Sequence, residues 1–148
     1  MTSKILLISM MIIMGGCASY RDVYKERFDS LPQRYSQFDL KIAWETKVTE
    51  SGTVVEGVVK NARYFEMTGV EIWVSLLDNN GRTLGRSASF IIPRSLREYD
   101  TAPFSLTLPV RAQPGMKLQF TYRYRKHEGH DENDFWMQSF EVGVPVEK

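Results

Sequence analysis

The stretch "GVEIWVSLLDNNGRTL", residues 69–84, decides the fold. Val70, Ile72, Val74 and Leu76 alternate with Glu71, Trp73 and Ser75. A period of two sends one set of side chains to each face of a strand, whereas a helix repeats its apolar positions every three to four residues. Asp78, Asn79, Asn80 and Gly81 follow at once. Asx side chains bond their own backbone and glycine takes positive φ freely, so the chain reverses here as a hairpin. The return strand runs from Leu84 to about Ile92, and Pro93 stops it.

The same period extends in both directions. Upstream, "FDLKIAWETKV" places Phe38, Leu40, Ile42, Trp44 and Val48 in one phase. After the turn at residues 50–52, "TVVEGVVKN" sets Val55, Gly57 and Val59 on one face. Downstream come a short strand with Phe104, Leu106 and Leu108, and then "MKLQFTYRYR" with Met116, Leu118, Phe120, Tyr122 and Tyr124 in phase. A polar loop, "KHEGHDEND", leads to a last strand from about Phe135 to Val144. No segment between the strands reads as a crossover helix, and alternation with one wet face is the antiparallel pattern. The expected fold is therefore all-β: a single antiparallel immunoglobulin-like β-sandwich of about seven strands over residues 38–148, after a signal peptide and a short tether.

Several of these residues carry a resemblance. Gly57-Val-Val-Lys-Asn61, the strand from Val70 to Leu77, Asp78 with Gly81, and Phe104-Ser-Leu-Thr-Leu108 resemble the FxLYD-type immunoglobulin-like domains of bacterial envelope proteins. The name-giving string of such domains is not present, and Phe120-Thr-Tyr-Arg-Tyr124 occupies a roughly similar place. The resemblance implies a non-catalytic module, often lipid-anchored, with no catalytic residues to transfer.

Composition fits one domain with its own core. The 148 residues are 43% hydrophobic, as in ordinary globular proteins. A formal net charge of +1 gives no basic footprint for nucleic acid, so none is expected as a partner. One cysteine rules out an intramolecular disulfide.

That cysteine is informative by position. Lys4 precedes an uncharged apolar run at residues 5–14, which as a helix would span only about 15 Å. This is half of a bilayer core and suits the apolar region of a signal peptide. Met14-Gly15-Gly16-Cys17 then resembles the lipobox of bacterial lipoproteins. In that family the signal is cut before the cysteine, here between Gly16 and Cys17, and the thiol is lipidated. Residues 1–16 are accordingly read as a lipoprotein signal peptide and Cys17 as the lipid-bearing residue, palmitate among its acyl chains. Ala18 follows where an aspartate would resemble an inner-membrane retention signal, so the implied address is the outer membrane, periplasmic face.

Residues 17–37 are the expected tether. Tyr20, Val23, Tyr24, Phe28 and Leu31 fall at helical spacing, which allows a short amphipathic helix ended by Pro32. It either lies on a bilayer or partner, or packs against its own domain.

Candidate functional residues are few. Trp44 and Trp136 fall in apolar phase and read as core. Trp73 falls out of phase and is expected on the outer face, where Leu77, Tyr64 and Phe65 extend a candidate interaction surface. His127 and His130, with Asp131 beside them, are the metal candidates; the histidines are three apart around a glycine, not four apart on a helix. Arg111, Lys117, Arg123, Arg125 and Lys126 form a basic outer face that reads as solvated. No nucleophile is matched to a base, so no catalytic residue and no cofactor are assigned. The expected function is a non-enzymatic envelope lipoprotein. It is held to the membrane by the lipid on Cys17 and acts as a protein-interaction or accessory module of a periplasmic or outer-membrane complex. The alternatives are a module for a glycan or other envelope polymer, and metal binding at the His127/His130 loop.

Overall fold

The structure is a computed structural model that describes residues 20–128 and 131–145. Gly16, Cys17 and His130 lie outside the described residues. The described chain holds one helix, α1 (Tyr20–Ser30), and nine strands. The strands are β1 (Gln33–Ser36), β2 (Leu40–Val48), β3 (Thr53–Asn61), β4 (Glu66–Leu77), β5 (Thr83–Phe90), β6 (Ser95–Leu96), β7 (Thr101–Leu108), β8 (Lys117–Glu128) and β9 (Asp131–Gly143). The seven strands read from alternation are β2, β3, β4, β5, β7, β8 and β9; β1 and β6 are additional short ones.

All pairings are antiparallel, in two sheets. Sheet A runs β1-β2-β3-β7. Sheet B runs β5-β4-β8-β9, with β6 added to β4. The two face each other as an immunoglobulin-like β-sandwich. Its core takes the in-phase residues of both: Leu40, Ile42, Trp44, Val55 and Val59 from sheet A, and Ile72, Val74, Leu76, Leu118, Phe120 and Tyr122 from sheet B. Gly57 lies opposite Trp44 on one side and Phe104 on the other. A Cβ there would collide with the Ala43 carbonyl and the Phe104 ring, so glycine is what lets the Phe104 ring enter the core.

Residues 31–37 do not behave as a tether. Gln33–Ser36 is an edge strand on β2, and Tyr35 stacks on Phe140 of sheet B with ring centroids 3.6 Å apart. The helix packs on its own domain: Leu31 is buried with Ala43 and Val58 on the outer face of sheet A, and Tyr24 and Phe28 lean on them. Another stripe residue, Val23, stays exposed. Pro32 follows the helix end at Ser30, as the missing N–H of proline dictates. Among the described residues no helix is long and apolar enough to cross a membrane.

Buried polar groups tie the ends of the sandwich. Asn61 is fully buried; its Nδ2 donates to the carbonyls of Phe65 and Leu96, and its Oδ1 accepts from the Arg63 N–H. Asp39, also fully buried, accepts from Tyr122 Oη at 2.9 Å and Tyr124 Oη at 2.8 Å. Burial, and then the hydrogen bond to the Asp39 carboxylate, hold both phenols well above the usual tyrosine range.

Candidate interaction surface

The sheet edges differ. On one side of the sandwich β5 and β7 lie against each other, as edges of the two sheets. On the other side β1 has four residues and β9 has thirteen. Tyr35 of β1 covers Phe140, but β1 ends at Ser36 while β9 continues along sheet B toward its own N-terminal end. Among the described residues nothing pairs with the outer side of β9. An unpaired strand of this length presents a row of free N–H and C=O groups, which is a template for another strand.

Its overhanging part is apolar on both faces. Phe135 and Met137 are exposed on the outer face of sheet B, in register with Arg125 and Arg123. Trp136 is on the inner phase, opposite Tyr124, yet is 40% exposed. Phe38 lies edge-on to it at 5.6 Å and is itself 56% exposed. Trp136, expected in the core, is instead open to solvent, and so is Phe38, which shares the apolar phase of β2. Alternation gives the face of a side chain correctly, but at this end sheet A has no strand to meet Trp136, and Phe38 precedes β2.

Arg63 joins the aromatic end. Its guanidinium carbon lies 5.9 Å from the Phe38 ring, 5.3 Å from Tyr64 and 5.8 Å from Phe65. Cation–π contacts of this kind hold the charge without a carboxylate. Tyr64 is 62% exposed, so Phe38, Tyr64, Trp136 and Arg63 form a contiguous aromatic and cationic surface beside the β9 edge. Aromatics and arginine are the residue types that dominate protein interfaces.

The surface expected around Trp73 is not continuous. Trp73 does lie on the outer face, but half-buried: its Nε1 donates to Glu71 at 3.0 Å, and the guanidinium carbons of Arg86 and Arg123 lie 4.8 and 5.8 Å from its ring. Arg123 also donates to Glu71 at 2.5 Å. That bond, ahead of the one from Trp73, holds the Glu71 carboxyl below its usual range. Leu77 is buried at 5% exposure. β4 is a central strand whose neighbours cover its small side chains, and a β-bulge at Leu76/Leu77 breaks the alternation. Phe65, at 8%, belongs to the core, stacked with Tyr124 at 6.3 Å. Of the expected patch only Tyr64 is fully outside.

The acidic connection is not a long loop. β8 runs to Glu128 and β9 begins at Asp131, and these two residues are paired. His127 is an exposed strand residue in register with Glu66. Among the described residues no group of three or more His, Cys, Asp or Glu side chains converges. The expected solvated basic face is partly paired: Lys117 bonds Glu141 at 3.2 Å and Arg123 bonds Glu71.

No family profile matches the chain, and no curated protein matches it. Solved structures with a similar course include the GAE domain of GGA2p from Saccharomyces cerevisiae, 10% identical with a TM-score of 0.48, covering 76% of this chain and 96% of that one. The C-terminal domain of Wzt is 17% identical with a TM-score of 0.45, covering 88% of this chain and 89% of that one.

Proposed function

We propose that this chain is a non-enzymatic, lipid-anchored lipoprotein of the cell envelope. Cys17 carries the lipid, on the periplasmic face of the outer membrane. The sandwich docks a protein partner of an envelope complex through the free edge of β9 and its aromatic end. One observation carries the docking: a thirteen-residue edge strand that is unpaired among the described residues, with Phe135, Trp136 and Met137 exposed along it. Strand addition would give the partner main-chain hydrogen bonds, and the aromatic side chains would give it pockets. Support for the anchor is the lipobox-like Met14-Gly15-Gly16-Cys17, three residues before α1 begins. Two or more acyl chains anchor stably. Confinement to a membrane raises the effective concentration of partners, so a modest interface suffices. The resemblance to FxLYD-type domains fits the same reading.

The polymer-binding alternative loses its main support, because the Trp73 ring is already engaged by Arg86, Arg123 and Glu71.

Membrane fractionation after metabolic labelling with a fatty acid tests the anchor. Wild type is expected in the outer-membrane fraction with label, and Cys17→Ala in the soluble fraction without it. Equal distribution of the two proteins would refute the anchoring.

A further inference from the structure

The outer face of sheet A carries two adjacent cross-strand rows of opposite character. Arg34, Ala43, Val58 and Pro103 form one, and its small apolar centre is where α1 sits. Ser36, Lys41, Lys60 and Thr101 form the next, one residue from each of the four strands. Lys41 and Lys60 lie directly opposite each other, an arrangement that destabilises a sheet. Among the described residues neither has a carboxylate partner, and nor has Lys25 of α1.

This row is the floor of a cavity of about 330 Å³ whose wall is Lys25, Phe28 and Asp29 of α1, with Arg34 at its side. Four cations face it against one carboxylate, and that carboxylate lies 4.0 Å from Arg34. The volume is at the low end of ligand pockets, roughly 300–1,000 Å³.

We propose that this cavity binds a phosphate-bearing ligand, the phosphate resting on the Ser36–Lys41–Lys60–Thr101 row. A phosphate monoester carries about −1.5 to −2 charges at neutral pH and offers three acceptor oxygens. Two ammonium and two hydroxyl donors in one row match that demand, and a charge near −2 turns the Lys41/Lys60 repulsion into attraction to a shared ion. The space left over takes an attached sugar or glycerol beside the Phe28 ring and the Arg34 guanidinium that lies 5.6 Å from its centroid. Two sources share this chemistry, a soluble sugar phosphate and the phosphomonoester headgroup of phosphatidic acid. The inference does not depend on docking at β9, which lies on the other sheet.

The full chain, in neutral detergent micelles, is titrated with glucose 6-phosphate and with glucose, and lysine acetylation is read by mass spectrometry. A parallel sample is placed in nanodiscs of phosphatidylcholine alone or mixed with phosphatidic acid. Protection of Lys41 and Lys60 by glucose 6-phosphate but not glucose identifies a soluble ligand. Protection only with phosphatidic acid identifies a headgroup. Lys47 and Lys117 serve as unprotected controls. Protection in neither arm overturns the proposal. Lys41→Ser is expected to weaken binding on the order of tenfold without lowering Tm. Lys41→Glu, which pairs with Lys60, is expected to raise Tm and abolish binding. Wild-type protection in both variants also overturns it.

Discussion

Tyr124 Oη donates to Asp39 Oδ2 at 2.8 Å, and that bond crosses the sandwich from sheet B to the residue just before β2. Tyr122 does the same to the other carboxylate oxygen. The segment that places Phe38 beside Trp136 is thus pinned by two charge-assisted bonds in a dry interior. Asp39→Ala leaves two buried hydroxyls without an acceptor. The expected loss is on the order of 2–4 kcal/mol, measured by urea unfolding at neutral pH. A loss below about 1 kcal/mol would show that the phenols find other partners.

The same triad gives an alkaline signature. The folded phenols are raised above 10.0, the ordinary value, first by burial and then by the hydrogen bond to Asp39. The sign follows: their contribution is complete below the unfolded value and declines as pH rises above it. In a titration followed by tyrosinate absorbance, at least two of the seven tyrosines are expected to ionise only as the domain unfolds. Smooth ionisation of all seven near the ordinary value, with the fold intact, would contradict this.

Glu71 works in the opposite direction. Its carboxyl is lowered by the Arg123 hydrogen bond, so the stabilisation is present at neutral pH and fades as pH falls below the ordinary carboxylate range. Glu71→Gln is expected to cost at most about 1 kcal/mol at pH 7, given the exposed guanidinium, and nothing in strong acid. A difference that stays constant with pH would mean that the loss comes from packing of Trp73.

Gly57→Ala drives a methyl group into the Ala43 carbonyl and the Phe104 ring. Overpacking of this kind typically costs about 1–3 kcal/mol. Thermal unfolding should show a lower Tm, and Phe104→Leu in the same chain should restore part of it by making room.

Alternation made the sandwich legible, because a period of two can be satisfied only by strands with one buried face. Val70, Ile72, Val74 and Leu76 sit where that period puts them. What alternation cannot carry is how far the opposing sheet extends. Trp136 faces inward in phase and is still open, because β1 stops short of it. Leu77 is out of phase and still buried, because a bulge and two flanking strands intervene. β1 itself was hidden by its length: four residues after a proline show too little periodicity to separate from a tether. The lysine row is invisible in one dimension, since Lys41 and Lys60 meet only through the β2–β3 register.

The central claim is that the β9 edge is a docking surface. It is tested most directly by photo-crosslinking in cells that express the full chain. A benzophenone amino acid is placed in turn at Met137 on β9 and at Leu84 on β5, both exposed positions of edge strands. The account predicts one discrete adduct from Met137, lost when Trp136→Ser is added, and none from Leu84. No adduct at Met137, or the same adducts from both edges, would contradict it.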